Sequence, residues 1–578
     1  MIGGIPAAPG IAIGKAYIYR NKEIAYREGP LDDSEIQNQL LLLTDAMRSS
    51  VDQLHAIVDE ASKAGDGTKA QIMETHLAIL DDVSFTDEMK AGIMHEHMFA
   101  ETAVRKVSEK YEAVFAEMDD EYMRGRAADI ADICLRVIKN IIGVPVNAMG
   151  EVHEPCVLIA RDLTPSDTAQ LDKDLILAFC TEQGGSTSHS AIIAKARGIP
   201  AVMGLKDIAT RLADGDTVIV DGYQGHAHIN PDAETLDTYL RLKAEDTKRK
   251  ETLDRNKHLP PETRDGHRVT LLANIGSVED GSAALENGAK GVGLFRTEFI
   301  YMGRDTLPTE DEQFAIYKTV AGMMNPYPVS IRTLDIGGDK STPCINIPHE
   351  DNPFLGWRAI RISLSEKDMF KTQIRAILRA SAYGNIRIMY PMIAEMTELR
   401  KANDILRECK EELKADHIDY DADIEAGVMI ETPAAAVAAD ILMKEATFFS
   451  IGTNDLTQYV MAADRMNERV SYLCDPLSPS VLRLIKHAID ESHKENAPIC
   501  MCGEMAGDPK MTSILVGLGL DELSMSASSI PSVNDAIRKL SFEEVQALAI
   551  KALTMDTAED IAGLLAASHY SDAKPSRY

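Results

Sequence analysis

Two sets of residues in this sequence have the types and spacing for phosphate chemistry. The first is Gly184-Gly185-Ser186-Thr187-Ser188-His189-Ser190, which leads into the helix-like run Ala191–Arg197. A glycine turn frees backbone N–H groups, hydroxyls add donors, and a helix N-terminus favours anions. The segment therefore reads as a cradle for phosphate with an imidazole inside it, and neutral imidazole is a nucleophile at physiological pH. The plainer alternative is a loop histidine beside a helix N-cap.

The second set lies just past short apolar segments in the C-terminal half. Arg296 follows one segment; Arg332 and then Gly337-Gly338-Asp339-Lys340 follow the next. Glu431-Thr432-Pro433, Gly452-Thr453-Asn454-Asp455 and Cys502-Gly503-Glu504 follow three more, with Arg358 and Arg465 on adjoining loops. Guanidinium forks grip phosphate and carboxylate, while Glu431 and Asp455 are hard oxygen ligands suited to Mg2+. A small substrate carrying both a phosphate and a carboxylate, held with Mg2+, satisfies the whole set. Cys502 admits two readings, a general acid or a buried small hydrophobe. Cys500 and Cys502 share one face of a strand, and no second thiol pair at zinc spacing accompanies them. The Lys340-Ser341 pair resembles a P-loop, but Asp339 stands where that loop requires glycine. His95 and His97 read as exposed residues on different faces of a helix.

The elements that must position these residues follow from periodicity. Eight apolar segments, Val269–Ala273, Gly291–Leu294, Val329–Leu334, Ile386–Met389, Ala426–Ile430, Phe448–Ile451, Ile499–Met501 and Glu522–Met525, each precede a helix-like stretch. That is the pattern of a (β/α)8 barrel, whose chemistry sits at the C-terminal strand ends. Upstream, residues 1–30 and 145–230 alternate short apolar strands with Gly-rich turns, an α/β domain. Between them Asp32 and Glu35 suggest a capping box, and Ile36, Leu40, Leu43, Met47, Val51, Leu54 and Val58 recur at helical steps. Gln71–Leu80, Ala100–Met118 and Ala127–Ile142 extend this into a helical bundle inserted at 31–144. Residues 231–261 read as a charged linker helix that stops at Pro260-Pro261, and residues 262–578 hold the barrel.

A chain of 578 residues has room for several cores. Its 60 Lys+Arg against 91 Asp+Glu give a net charge of −31, which disfavours nucleic-acid and anionic-membrane binding and favours a basic protein partner. The bundle between Asp32 and Val144 carries −12 of that total, in one reading a docking surface and in the other ordinary solvation of long helices. Eight cysteines in so long a chain do not form a secreted disulfide framework, and no apolar run is long enough to span a membrane. The first basic residue is Lys15, so no signal-type start is read, and a cytoplasmic protein is expected.

Gly184–His189 resembles the phosphohistidine motif of the phosphoenolpyruvate-utilising enzymes. Asp335–Lys340, Asn352–Arg358, Ile451–Tyr459 and Met501–Glu504 resemble the barrel signatures of the enzyme I group of that family, in the bacterial sugar phosphotransferase system. The resemblance covers essentially the whole chain. It implies that the barrel binds phosphoenolpyruvate and Mg2+, that His189 takes the phosphoryl group on Nε2, and that Cys502 protonates the enolpyruvate to pyruvate. It further implies that phospho-His189 passes the group to a histidine of the carrier protein HPr, docked on the helical insertion. By the same resemblance Arg296, Arg332, Asn454, Asp455 and Arg465 bind phosphoenolpyruvate, Glu431 and Asp455 bind the metal, Lys340 and Arg358 line the pocket, and the barrel domains form a homodimer. Ser186 departs from the basic residue common at its position. Loading and unloading a histidine on a separate domain would require domain closure. Pyruvate phosphate dikinase-like enzymes share these motifs but place a large nucleotide-binding domain before the histidine, where this chain has 188 residues. The other alternative, a catalytically silent docking protein, does not explain the joint presence of the arginines, the acids and Cys502.

Overall fold

Two strands near the middle of the N-terminal half, Cys156–Ala160 and Ile176–Thr181, are apolar at almost every position because both faces of their sheet are covered. The computed structural model describes residues 1–568 except 20–25, 28, 65, 66, 117–120, 145–151, 170, 186, 187, 303, 339, 341 and 468, and gives the backbone alone at 60, 62–64, 67–72, 116, 121–126, 165, 169, 189, 192 and 196. Ser186 thus lies outside the described residues, as does the side chain of His189. The chain divides into two compact units, residues 1–250 and 251–578.

In the first unit the strands are β1 (Ile2–Gly3), β2 (Ile5–Ala8), β3 (Ile11–Tyr19), β4 (Cys156–Ala160), β5 (Ile176–Thr181), β6 (Ala201–Met203), β7 (Thr217–Asp221) and β8 (His226–Ile229). They form one mixed sheet in the order β1-β8-β7-β3-β4-β5-β6-β2, with β3 through β6 parallel. Alternate residues serve the two faces. Leu158, Ala160 and Phe179 pack with Ala191 and Ala194, while Val157, Ile159, Ala178 and Cys180 pack with Val218 and Val220.

Between β3 and β4 run five helices, α1 (Ile36–Ala64), α2 (Gly67–Leu80), α3 (Val83–Glu96), α4 (Ala100–Ala116) and α5 (Glu121–Ile142). The insertion read from periodicity is therefore present, with its own core around Leu43, Leu54, Met89, Val104, Ile133 and Val137. Its start differs from a capping box: Asp32 accepts from the Ser34 N–H, and Asp33–Glu35 make a 3-10 turn before α1. Helix α3 carries His95, which the sequence places on a helix without giving that helix bounds. Asp82 starts it by accepting from the N–H groups of Ser84 and Phe85. His97 is not a helical residue; at φ +52 it ends α3, with its ring 3.2 Å from Asp33. The bundle is fastened to the sheet through α5 and a short helix, α6 (Pro165–Ala169). Arg136 Nη2 donates to Ser166 Oγ at 3.0 Å, and the Ser166 N–H donates to Asp132 at 2.8 Å. Helix α7 (His189–Arg197) follows β5, and α8 (Ala233–Asn256), which buries no residue, contains the division between the units.

The second unit is a closed barrel of eight parallel strands: β9 (Thr270–Ile275), β10 (Val292–Arg296), β11 (Val329–Arg332), β12 (Ile386–Tyr390), β13 (Glu425–Ile430), β14 (Phe449–Ile451), β15 (Ile499–Met501) and β16 (Glu522–Met525), which pairs back to β9. All eight expected segments are strands. Leu294, Met389, Met429, Phe448 and Cys502 form one buried cluster among the strands, and outer helices such as Lys367–Ser381 bury one apolar stripe against them.

Candidate active site

Arg332, Lys340, Arg358, Asp455 and Arg465, picked out at the barrel strand ends and adjoining loops, join one electrostatic network. Arg332, the last residue of β11, sends Nη2 to Glu298 Oε1 at 2.6 Å and Nη1 to Asp335 Oδ2 at 2.9 Å. Lys340 reaches the same two acids, at 2.8 and 3.0 Å, so the apparent P-loop lysine is tied to carboxylates. Arg358, 2% exposed, donates from Nη2 to Asp335 Oδ1 at 3.2 Å and Asp455 Oδ2 at 3.3 Å, and from Nη1 to the Tyr459 hydroxyl at 3.0 Å. Arg465 donates to Asp455 Oδ1 at 3.0 Å. Burial alone would neutralise Arg332, Arg358, Lys340, Glu298 and Asp335, but their reciprocal charges overcome it. Despite burial, Asp335 is held well below the usual carboxylate range by Arg332, Lys340 and Arg358.

Backbone geometry makes the network possible. Gly337 has φ +108, and a Cβ there would lie 2.4 Å from Arg358 Cβ, so glycine is what lets the loop after β11 pass under Arg358. Gly503 has an ordinary φ of −73 but no space: its Cβ would sit 1.8 Å from Thr453 Oγ1. The loop carrying Cys502 and the loop carrying Asn454 and Asp455 are thereby pressed together, and the Glu504 N–H donates to Asn454 Oδ1 at 3.3 Å.

Glu431 ends the chain's run through β13 and is 2% exposed. One of its oxygens accepts from the Met392 N–H at 2.6 Å. Burial, then the nearby charges of Asp455 and Asp335, push its carboxyl up to about 8. Two carboxylates that repel each other in a buried site are a fitting donor pair for a divalent cation. Among the described residues no three His, Cys, Asp or Glu side chains are grouped to hold a metal. A cation on Glu431 and Asp455 would therefore draw its other ligands from substrate and water, as Mg2+ commonly does. Both Asp455 oxygens already accept from guanidiniums, so a cation there shares or replaces those contacts.

Arg296, the last residue of β10, is exposed and forms no ion pair among the described residues. It is the cation left available at the mouth. Cys502 lies deeper, 4% exposed, with Ser450 Oγ donating to its sulfur at 3.2 Å. Burial pushes its thiol up, against the pull of Ser450 and the charge of Arg332, so the sulfur carries its proton at neutral pH.

In the first unit His189 is the first residue of α7. Ser188 is its N-cap, accepting from the Ala191 N–H at 3.3 Å, and the Ser190 hydroxyl donates to the Leu163 carbonyl at 3.2 Å. These two hydroxyls are used by the fold, which differs from the expectation that they serve as phosphate donors; Ser186 and Thr187 lie outside the described residues.

Residues 250–542 match the profile described as PEP-utilising enzyme, PEP-binding domain; residues 3–126 match PEP-utilising enzyme, N-terminal; and residues 152–225 match PEP-utilising enzyme, mobile domain. The chain belongs to the PEP-utilising enzyme family. Among its relatives in that family, the phosphoenolpyruvate-protein phosphotransferase of Listeria monocytogenes is 46% identical over 97% of this chain and 98% of its own. Proteins of the same name from Geobacillus stearothermophilus and Bacillus subtilis are 48% and 47% identical, over 97% and 96% of this chain and 96% and 98% of theirs.

Several residues of this PEP-utilising enzyme site escaped sequence reasoning. Glu298 counters both Arg332 and Lys340, and its position two residues past Arg296 was the available signal. Asn274 lies at the end of β9, one residue beyond the expected segment. Its Nδ2 donates to the Cys502 carbonyl at 2.9 Å, and its Oδ1 accepts from Ser524 at 2.7 Å. Applying the strand-end rule to the first strand would have found it. Ser450, inside an apolar strand, gave no signal.

Proposed function

We propose that this chain takes the phosphoryl group of phosphoenolpyruvate onto His189 and passes it to a histidine of the carrier protein HPr, the first step of phosphoenolpyruvate-dependent sugar uptake. The observation that carries the reading is the barrel mouth, where guanidiniums and acids surround a buried thiol. Arg296, Arg332, Lys340, Arg358 and Arg465 stand with Glu298, Asp335, Asp455 and Glu431. Five cations and four carboxylates leave room for a trianionic substrate together with one divalent cation, near overall neutrality.

In this reading Arg296, Arg332 and Arg465, with Asn454 and Asp455, hold phosphoenolpyruvate by its phosphate and carboxylate. Glu431 and Asp455 hold Mg2+, which when bound neutralises charge at the phosphoryl and enolate oxygens. The P–O bond of the substrate breaks as the N–P bond to His189 Nε2 forms. The departing enolate takes the Cys502 proton at C3, giving the methyl group of pyruvate and leaving a thiolate close to Arg332. His189 reaches the mouth for loading by domain closure and leaves it for unloading. HPr docks on the acidic insertion of residues 31–144, residues 262–578 form the homodimer, and the protein works in the cytoplasm. Among the described residues no helix is long and apolar enough to cross a membrane.

The test is incubation with Mg2+ and radiolabelled phosphoenolpyruvate alone. Acid-labile, base-stable label on the wild type and none on His189→Ala is the expected result. A wild type that takes up no label overturns the reading.

A further inference from the structure

Strand β14 reads Phe449-Ser450-Ile451, fully buried on a parallel strand where apolar side chains are the rule. Ser450 is 0% exposed, and a buried hydroxyl is unfavourable unless it is hydrogen-bonded. Its register partner on β15 is Cys500, and Cys502 lies two residues further along the same face. The Ser450 hydroxyl donates to Cys502 Sγ at 3.2 Å and is also within hydrogen-bonding reach of the Cys500 thiol. The sulfur also faces the Ile451 carbonyl, 3.7 Å away, which accepts and cannot stabilise a thiolate; the charges of Arg332 and Arg296 favour a thiolate there and that of Glu431 opposes it. Leu294, Met389, Met429 and Phe448 supply the apolar part of its surroundings.

We infer that Ser450 is a positioning residue for the proton-donating step: its hydroxyl fixes the Cys502 sulfur and stabilises the thiolate left after the proton has gone to C3 of the enolpyruvate. The inference rests on the proposed role of Cys502. Because the serine donates to sulfur, the thiol hydrogen is free to point at the Ile451 carbonyl or at substrate. When the S–H bond breaks and the C–H bond forms, the negative charge moves to sulfur, where Ser450 already has a donor aimed. A donor to an anion is worth more than a donor to a neutral group, so the contact strengthens as the proton leaves and acts on the chemical step more than on binding.

The full-length protein tests this with Ser450→Ala, Ser450→Thr and Cys502→Ala. The pH dependence of Cys502 alkylation by iodoacetamide, followed on its own peptide, reports the thiol; pyruvate release with HPr as acceptor reports kcat and KM. Ser450→Ala is expected to move the alkylation profile to higher pH, with about tenfold slower labelling on its rising limb. It should also lower kcat about tenfold while KM for phosphoenolpyruvate stays within about twofold. Ser450→Thr, which keeps the hydroxyl, should bring both back toward the wild type, as a purely packing role would not. An unchanged alkylation profile in Ser450→Ala overturns the inference, and so does a shifted profile with unchanged kcat when Cys502→Ala is inactive. If Cys502→Ala itself turns over normally, the proton-donor reading fails and the inference fails with it, a result recognisable because it appears in the cysteine variant.

Discussion

Arg332 donates to Glu298 across 2.6 Å with both side chains almost wholly out of solvent. Removing one partner of such a pair leaves an uncompensated buried charge, which costs more than the pair itself contributes. In Glu298→Gln, Arg332 keeps Asp335 at 2.9 Å, so the loss should be about 3 kcal/mol. For a barrel of this size the thermal transition should fall by roughly 4–5 °C. Phosphoenolpyruvate supplies the missing negative charge, so its stabilising shift should be larger in the variant than in the wild type. A transition unmoved in the absence of ligand would show that Glu298 is not needed to balance Arg332.

Arg296 and Arg358 separate binding from folding. Arg296 is exposed and without an ion pair among the described residues, so Arg296→Ala should change stability by less than about 0.5 kcal/mol. Its kcat/KM for phosphoenolpyruvate should fall roughly 10- to 100-fold, the value of one charge-assisted contact. Arg358 is 2% exposed and joins Asp335 to Asp455. Arg358→Ala should lower stability and activity together, measured by thermal unfolding beside steady-state kinetics. Equal stability losses in the two variants would contradict this division.

The barrel was legible because its eight apolar segments repeat, and the cations were legible because strand ends are where such barrels work. The acids that pair with them were harder to read. Glu298 meets Arg332 and Lys340 only through the register of β10 against β11, which places residues 34 and 42 positions apart in contact. Ser450 carries no spacing signal, since its meaning depends on a sulfur on the neighbouring strand. His97 lies outside the helix because a non-glycine residue in the left-handed region ends α3 there, its N–H closing on the Gly92 carbonyl, a conformation that composition does not announce.

The bundle's charge is not consumed by its own ion pairs. Lys90, Lys106 and Lys110 are paired to Asp87, Glu96 and Glu88 on exposed surface, and such contacts are individually weak. The net −12 between Asp32 and Val144 therefore remains as a field for a basic partner. HPr affinity for the intact chain should fall roughly tenfold between about 50 and 500 mM salt, mainly through a slower association rate. Titration by calorimetry or surface capture checks this. An affinity independent of salt would return the acidity to simple solvation of long helices.

Gly503→Ala isolates a steric requirement from a conformational one. At φ −73 alanine fits the backbone, yet its Cβ would lie 1.8 Å from Thr453 Oγ1 and 2.7 Å from Thr453 N. The side-chain oxygen can rotate away, but the backbone nitrogen cannot, so the Cys502 loop must separate from the Asn454–Asp455 loop. A displacement near 1 Å at reacting groups costs about 100-fold in rate, and kcat/KM should fall by that order while the barrel stays folded. Adding Thr453→Ala removes the oxygen and leaves the nitrogen, so the double variant should recover part of the loss and not all of it. Full recovery would place the whole clash on Oγ1; no loss in Gly503→Ala alone would mean the two loops need not touch for turnover.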